Sequence, residues 1–319
     1  MPSRPASTKA PSFSSRSYWD DRFTGDQITF EWLLSVGDTI AIINGIIVNS
    51  RIDGQGVSND PKPRILHIGC GTSDLSLHLR ELVRLPAQVH NVDFSEAAVE
   101  HGRMKELQSF HIHPASIDAD RGRDGGVSGP AATEVSEREN WMSWSTVDLL
   151  SLPSVESLVG DGGQLYDLII DKSTSDAIAC GDNITVMPLW VQPDGRVPIS
   201  MDPVDLLALH LAAVTAPAGY WIVISYSANR FPFLESEAEQ RDQCAEKSPS
   251  QHDTSRGVAP GRFWRLERKA QITVPATEEA VVGGAPGHTV HRPEIYHWLY
   301  VLIRTEALLG PGVEPPRQS

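Results

Sequence analysis

Two glycines and a distant aspartate form the pattern in this sequence that is best suited to chemistry. Gly69-Cys70-Gly71 follows a short apolar run, and Asp93 lies 24 residues beyond Gly69 (93 − 69). Glycines let the backbone turn tightly and approach a ligand where a Cβ would collide. An acidic residue at about this distance accepts hydrogen bonds from ribose hydroxyls in nucleotide-binding folds. The spacing predicts a nucleoside site, with the apolar face of Phe94 against the base.

The residues after the glycines decide which nucleoside cofactor fits. A dinucleotide loop needs a third glycine in the pattern G-x-G-x-x-G, but Asp74 occupies that position. A carboxylate at the start of a helix would repel a pyrophosphate, and no Lys-Ser/Thr pair follows a glycine at the spacing of a phosphate-binding loop. S-adenosylmethionine has no phosphate and carries a sulfonium cation, which suits an acidic neighbourhood. We therefore expect S-adenosylmethionine as the cofactor.

Two more acidic residues stand where strands are expected to end. They begin the pairs Asp148-Leu149 and Asp171-Lys172. In open α/β sheets a ligand binds outside the carboxyl ends of the strands, so these residues are candidates for the same site. Each acid also has a simpler interpretation, as a loop residue or as the partner of a neighbouring Lys or Arg. The sequence leaves these alternatives open.

The elements that would hold these residues alternate between strands and helices. Apolar residues at steps of one, three and four from Trp32 to Ile47 predict an amphipathic helix. Other helices are expected after a cap at Thr72 or Ser73, after a cap at Ser95, and over 203–214. Strands are expected at 64–68, 89–92, 141–147, 166–170, 219–225, 263–274 and 296–304. This order predicts an α/β fold: a Rossmann-like, seven-stranded, mostly parallel sheet with helices on both faces and an antiparallel final strand.

Composition divides the chain into one domain with less regular segments. Residues 1–17 are rich in Ser, Pro and Ala and predict a disordered leader, with a mitochondrial targeting segment as the weaker alternative. Residues 18–310 form a single expected domain, interrupted by low-order insertions near 117–140 and 235–261. Residues 311–319 form a tail.

Charge and hydropathy restrict the partners. The chain has 319 residues and a net charge of -14, from 27 basic and 41 acidic residues. Nucleic-acid binders usually carry a basic surface, so nucleic acid is not expected as a partner. Acidity is compatible with a basic protein substrate, and equally with solubility alone. The longest apolar stretch, 40–48, is too short to span a bilayer, so no membrane association is expected.

Cysteine and histidine positions do not predict a metal site. The three cysteines, Cys70, Cys180 and Cys244, are widely spaced and form no CxxC pair, which favours a reducing, cytoplasmic compartment over disulfides or zinc. The histidine groups are expected in loops beside the insertions, and we expect no metal there; they are His111, His113, His288, His291 and His297.

Five segments together resemble one branch of the class I, seven-β-strand methyltransferases. These segments are Tyr18–Phe23 (YWDDRF), Phe30–Trp32 (FEW), Ile65–Leu75 (ILHIGCGTSDL), Val92–Ser95 (VDFS) and Asp171–Ala177 (DKSTSDA). The corresponding family patterns are "YWDxRY … EW", "ILxLGCGNSxLS", "VDYS" and "EKGTLDA". The branch contains lysine methyltransferases of translation elongation factor 1-alpha, including the methyltransferase-like 13 type. The resemblance therefore implies a protein-lysine methyltransferase.

The resemblance also implies a set of cofactor contacts. Trp19, Phe23 and Trp32 match positions near the cofactor, where aromatic faces attract a sulfonium; physics alone, without the resemblance, favours core positions for the two tryptophans. Arg22 is a candidate for the cofactor's carboxylate, or for a salt bridge with a neighbouring aspartate. The other matching positions are Gly69, Asp93, Phe94, Asp148, Leu149 and Lys172, and the glycine loop adds Cys70 and Gly71.

Several departures from the family pattern concern the acceptor. His67 stands where many class I enzymes have an acid, Phe23 replaces a tyrosine, and Ser173 and Ser175 replace Gly and Leu. Asp171 and Asp176 are the candidate polar contacts for orienting an acceptor, without an assigned general base.

Three functions stay open at this point. The first is a protein-lysine N-methyltransferase acting on an elongation factor or a similar basic protein. The second is a small-molecule O- or N-methyltransferase, and the third is a non-catalytic binding protein that retains the cofactor fold. The sequence lacks the Asn/Asp-Pro-Pro-Tyr element of enzymes that methylate base amines, in agreement with its charge. It does not predict the oligomeric state.

Overall fold

The structure is a computed structural model that describes residues 11–25, 31–50, 63–110, 139–159, 163–187, 198–234, 259–274 and 296–308. Most of the two expected insertions, most of the leader and the whole tail lie outside these ranges. The domain boundaries therefore stay predictions.

Seven helices and nine strands make up the described part. The helices are α1 (Arg16–Thr24), α2 (Val36–Ser50), α3 (Leu75–Leu79), α4 (Glu96–Ser109), α5 (Leu152–Glu156), α6 (Thr174–Ile178) and α7 (Pro203–Val214). The strands are β1 (Ile65–Ile68), β2 (Val89–Asp93), β3 (Ser143–Thr146), β4 (Tyr166–Lys172), β5 (Ile184–Val186), β6 (Ile199–Met201), β7 (Thr215–Ser225), β8 (Trp264–Thr273) and β9 (Tyr296–Arg304).

The main sheet has seven strands in the order β3-β2-β1-β4-β7-β9-β8. Strands β1, β2, β3, β4 and β7 pair in parallel, whereas β9 pairs antiparallel with both β7 and β8. The final strand thus inserts between β7 and β8. This confirms the predicted fold class. A separate hairpin of β5 and β6 stands beside the sheet.

Helices cover both faces of the sheet because side chains alternate along each central strand. On one face Leu66 and Ile169 pack with α5, α7 and the aromatic residues Trp221 and Trp264. On the other face Ile65 packs with α2, α3 and α4. The central strands are therefore buried on both faces, and the polar side chains placed to meet a ligand lie towards the carboxyl ends of the strands.

Local differences from the sequence expectations have physical causes. The first long helix begins at Val36 and not at Trp32, since Leu33 has a left-handed backbone (φ +67°). Ser95 occupies the N-cap position of α4, but its hydroxyl makes no hydrogen bond within the described residues. Instead Asp93 Oδ1 accepts from the Ser95 N–H at 2.9 Å. The short helix α3 begins after Asp74, and the Ser73 hydroxyl accepts from the Leu75 N–H at 3.1 Å.

Candidate active site

A cavity of about 860 Å³ opens at the carboxyl ends of β1, β2 and β4, beneath α1. Its volume lies within the usual range for small-molecule and cofactor sites, about 300–1,000 Å³. The sheet positions it as the topology requires, because parallel strands bring their carboxyl ends to one edge. Most of the residues selected from the sequence meet there.

The glycine loop after β1 forms one wall. Gly69 (φ +56°) and Gly71 (φ +52°) both have left-handed backbones, which only glycine adopts without strain. A Cβ on Gly69 would collide with Thr174 Oγ1, whose hydroxyl donates to the Ile68 carbonyl at 2.9 Å. The loop is thus held against the start of α6. Between the glycines, burial raises the pKa of the Cys70 thiol, which leaves this side chain protonated and unreactive.

Asp93 at the end of β2 is a buried carboxylate with room for a ligand. Its oxygens accept from the N–H groups of Gly71 at 3.0 Å and Ser95 at 2.9 Å. Burial raises its pKa to about 6, and these backbone donors limit the rise. A carboxylate has about four lone-pair sites, so acceptor capacity is left for a ligand's hydroxyls. This is the arrangement that a ribose requires.

An aromatic group covers the glycine loop from the N-terminal side. Trp19 stacks on Phe23 with 5.6 Å between ring centroids, and its indole N–H donates to the Phe13 carbonyl at 2.7 Å. Trp32 lies edge-on to Trp19 at 6.2 Å and to Tyr226 at 6.4 Å. These rings provide the electron-rich faces that stabilise a neighbouring cation.

The structure places most predicted residues on the cavity wall. Lining it are Trp19, Phe23, Trp32, Gly69, Cys70, Gly71, Asp93, Phe94, Asp148, Leu149, Lys172 and Asp176. Arg22 and Asp171 are not among the lining residues. Arg16, six residues earlier on α1, lines the cavity where the sequence suggested Arg22.

Asp171 serves the protein's own turn. The residue is fully buried, and its carboxylate accepts from the N–H groups of Thr174 at 2.8 Å and Ser175 at 3.3 Å. Burial, helped by the charge of Asp176, raises the pKa of Asp171 to about 7. Its geometry is that of a cap for α6. We therefore do not propose that Asp171 orients an acceptor, as the sequence suggested.

Asp176 does line the cavity, but its carboxylate is already fully engaged. Oδ1 accepts from Ser225 Oγ at 2.6 Å and from Arg230 Nε at 2.9 Å, with Arg230 Nη2 at 2.6 Å. Oδ2 accepts from Ser173 Oγ and from the Tyr226 N–H, each at 3.0 Å. These donors fill the carboxylate's acceptor sites and balance its charge.

A second ion pair joins Lys172 to Glu31, a residue to which the sequence analysis gave no role. Glu31 also accepts from Ser73 Oγ at 2.8 and 2.9 Å and from the Asp74 N–H at 2.9 Å. It thereby ties the segment before α2 to the glycine loop and to β4. The motif that contains Glu31 was a usable signal, but only the fold brings Lys172 to it.

Asp74 does not provide the acidic neighbourhood that we expected for the sulfonium. Its carboxylate pairs with Lys105, and the residue is not on the cavity wall. Asp74 therefore does not line the site where a ligand would bind. The aromatic group is the feature that suits a cation here.

His67 reaches the cavity from the middle of β1. Its Nδ1 lies 3.0 Å from Ser76 Oγ and 3.2 Å from Asn91 Oδ1. Burial lowers its pKa to about 4, so the ring is neutral at physiological pH. Because the Asn91 oxygen can only accept, Nδ1 carries the proton and Nε2 is left as an acceptor. A neutral acceptor thus stands where many related enzymes have an acid.

Among the described residues, no group of three or more His, Cys, Asp or Glu side chains is arranged to hold a metal ion. Four of the five histidines considered from the sequence lie outside the described ranges. His297 is buried in β9. No helix in the described ranges is long and apolar enough to cross a membrane.

Comparison with known proteins adds one informative relative. No protein-family model matches the chain. It is similar to the methyltransferase srdJ of Neurospora crassa, with 29% identity over 221 residues covering 69% of this chain and 70% of the relative. Among solved structures it is similar to magnesium protoporphyrin IX methyltransferase of Synechocystis PCC 6803 (16% identity, TM-score 0.40, covering 92% of this chain and 96% of that one). It is also similar to a methyltransferase of Anabaena variabilis (9%, TM-score 0.45, 93% and 96%).

Two features define the class I methyltransferase fold. One is the strand order with its antiparallel insertion, and the other is the glycine loop beside a buried aspartate. The cavity fits S-adenosylmethionine: Asp93 keeps acceptor capacity, the glycines allow close approach, and aromatic rings face the loop. With its methyltransferase relative, the chain is an S-adenosylmethionine-dependent methyltransferase.

Proposed function

We propose that this enzyme methylates a small molecule that enters the cavity. We call the end of the cavity that lies away from Asp93 the far end. The observation that supports this choice is that the two carboxylates nearest the far end, Asp176 and Glu31, are occupied. Both are engaged by donors of the protein and paired with Arg230 and Lys172. Among the residues that the structure describes, no buried carboxylate at that end is left to receive a cationic acceptor.

We assign the cofactor contacts as part of the same proposal. Asp93 accepts from the ribose hydroxyls, and Phe94 and Leu149 enclose the base. Trp19 and Trp32 face the sulfonium. The remaining assigned contacts are Phe23, Gly69, Cys70, Gly71, Asp148 and Lys172, the last held in place by Glu31. All of them line the cavity, except Glu31, which positions Lys172.

The chemistry needs alignment more than acid–base catalysis. When bound, S-adenosylmethionine supplies an electrophilic methyl group on a sulfonium. The protein's contribution is to hold the acceptor in line with the methyl carbon and to exclude water, and such positioning accounts for much of the rate. The aromatic residues on α1 and before α2 cover this region, so they exclude water from it.

A lysine acceptor would need more than this cavity offers. Its ammonium has an unperturbed pKa of about 10.4 and must lose a proton before it attacks. Open carboxylates or carbonyls normally orient such a group, and Asp176 and Glu31 are occupied by donors of the protein. The protein-lysine function, with elongation factor 1-alpha as substrate, stays the second candidate because of the five sequence segments.

The test is to incubate the protein with methyl-labelled S-adenosylmethionine and a cell extract, and to separate proteins from small molecules. We expect label in a small-molecule product that separates from unreacted S-adenosylmethionine. Label in a protein band of elongation-factor size would favour the second candidate. If no label is transferred and calorimetry detects no binding of S-adenosylhomocysteine, only the non-catalytic binding protein is left. The Asp93→Ala variant serves as the inactive control.

We further propose the cytoplasm as the compartment. Cys70 and Cys180, the two cysteines in the described residues, are free thiols, as a reducing compartment allows. Imaging of a fluorescent fusion at the C-terminus tests this, and a mitochondrial pattern would support the alternative interpretation of the leader.

A further inference from the structure

Arg230 is the cation of the far end of the cavity, and only part of its guanidinium is used. Nε and Nη2 lie within hydrogen-bond distance of Asp176 Oδ1, at 2.9 and 2.6 Å. Nη1 makes no hydrogen bond within the described part of the chain, although the side chain is only 15% exposed and lines the cavity. Two N–H donors of a buried cation are therefore available to a ligand.

The backbone holds Arg230 in this position. Its N–H donates to Tyr300 Oη at 3.3 Å, and that hydroxyl donates to the Ser227 carbonyl at 2.8 Å. Asp176 fixes the other end of the side chain. A guanidinium held at both ends loses little conformational entropy when it binds a ligand.

The other polar groups at this end do not compete as acceptors. Asp176 and Glu31 are filled by donors, as described above. Asp182 also lines the cavity but is exposed to solvent, and Asp148 belongs to the end near Asp93 and Phe94. These carboxylates therefore leave the free Nη1 donors of Arg230 to a ligand, and a molecule that binds Nη1 must offer oxygen lone pairs.

The surrounding wall is apolar and partly aromatic. Ile178 and Ile184 line the cavity with Tyr226, whose ring lies edge-on to Trp32. Flat rings pack well against such surfaces. The wall thus suits an aromatic or similarly planar body beside the oxygen group.

We infer that the far end of the cavity is a subsite for a planar acceptor molecule bearing a carboxylate or phenolate oxygen, which Arg230 binds through Nη1. This inference rests on the proposed small-molecule function and specifies its substrate class. Arg230 fixes the molecule's orientation and so selects which of its atoms meets the methyl group; no proton transfer is assigned to it.

The test uses three probes of one size and different charge: benzoate, benzamide and benzylammonium. Each is titrated calorimetrically into the protein saturated with S-adenosylhomocysteine at pH 7. We expect benzoate to bind most tightly and benzylammonium least. Arg230→Lys keeps a cation opposite Asp176 but removes the planar fork, so benzoate should bind about tenfold more weakly. Arg103→Lys, on the exposed face of α4, is the matched control and should bind benzoate as the wild type does.

Three outcomes would overturn the inference: no benzoate binding at millimolar concentration, tighter binding of benzylammonium than of benzoate, or equal benzoate binding by Arg230→Lys. If that variant unfolds at a lower temperature, the double variant Asp176→Asn, Arg230→Gln replaces it, because it removes both charges together. Failure of the proposed function can be distinguished from failure of this inference about Arg230. In that case the extract experiment labels a protein, whatever the outcome of the benzoate titrations.

Discussion

Asp93 and Asp176 are both buried carboxylates on the wall of one cavity, but only one of them is open to a ligand. Asp93 accepts from the backbone N–H groups of Gly71 and Ser95, and no Lys or Arg of the described residues forms a salt bridge with it. Asp176 accepts from backbone, hydroxyl and guanidinium donors, and Arg230 balances its charge. We propose that the cofactor binds at the end of the open carboxylate, whereas the closed one is a structural support for the other end. A carboxylate's role thus depends on whether the protein already provides its cation.

The largest effect is expected at Glu31, the other carboxylate that donors of the protein already occupy. Glu31→Gln leaves Lys172 buried without its counter-ion, which should lower the free energy of unfolding by about 3 kcal/mol, the lower end of the range for broken buried pairs because Glu31 is a quarter exposed. Denaturant unfolding measures this. Glu100→Gln breaks an exposed pair with Arg103 and should change stability by less than about 0.5 kcal/mol. Equal effects of the two substitutions would show that Glu31 is not a buried partner.

At the cofactor end, Gly69→Ala should have an effect of about the same size. The left-handed backbone costs about 1–2 kcal/mol with a Cβ, and the collision with Thr174 adds about 1–3 kcal/mol of overpacking. Thermal unfolding and cofactor titration should both show the loss. Gly45→Ala is the matched control, since a Cβ there meets no atom within 4 Å and should stabilise α2 by about 0.5–1 kcal/mol. A stable Gly69→Ala protein with normal binding would contradict the described loop.

The open carboxylate predicts a specific pH dependence. Ribose hydroxyls donate to the ionised form of Asp93, whose pKa is about 6 without ligand. The affinity for S-adenosylhomocysteine should therefore be constant above about pH 7 and fall as the pH drops through 6, by at most about tenfold per pH unit. Asp93→Asn should bind more weakly at pH 7 and remove this dependence. An unchanged pH profile in the variant would assign the titration to another group.

The smallest effect is expected at Ser173, whose backbone is left-handed (φ +71°) at a position where the related sequence pattern has glycine. Ser173→Gly relieves about 1–2 kcal/mol of backbone strain but removes the hydroxyl that donates to Asp176, worth about 1.5–3 kcal/mol for a charged acceptor. The two effects oppose each other, so unfolding free energy should change by about 1 kcal/mol or less. A larger loss would mean that this hydroxyl is essential to the closed carboxylate.

The sequence predicted the fold because its signals are local. Apolar runs fixed β9 to its observed bounds, and the absence of a helix before it predicted the antiparallel pairing. The loop Gly69–Gly71 and Asp93 were also identifiable, since tight turns and a fixed strand spacing leave a pattern in the sequence.

The contacts at the closed end could not be predicted from the sequence, because they join segments that are far apart along the chain. Glu31 reaches Lys172 across 141 residues, and Arg230 reaches Asp176 across 54. Asp171 and Asp176 look alike in sequence, yet one caps a turn and the other lines the cavity. Arg22 was selected by motif position alone, whereas the structure places Arg16 on the cavity wall.

The division of the cavity into an open and a closed end is tested most directly by titrating S-adenosylhomocysteine into three proteins by calorimetry. Relative to the wild type, Asp93→Ala should lose at least about a hundredfold in affinity, since it removes two hydrogen bonds to a charged acceptor. Arg230→Lys should stay within about twofold. Wild-type affinity in Asp93→Ala, or an equal loss in both variants, would contradict the assignment of the cofactor to the Asp93 end.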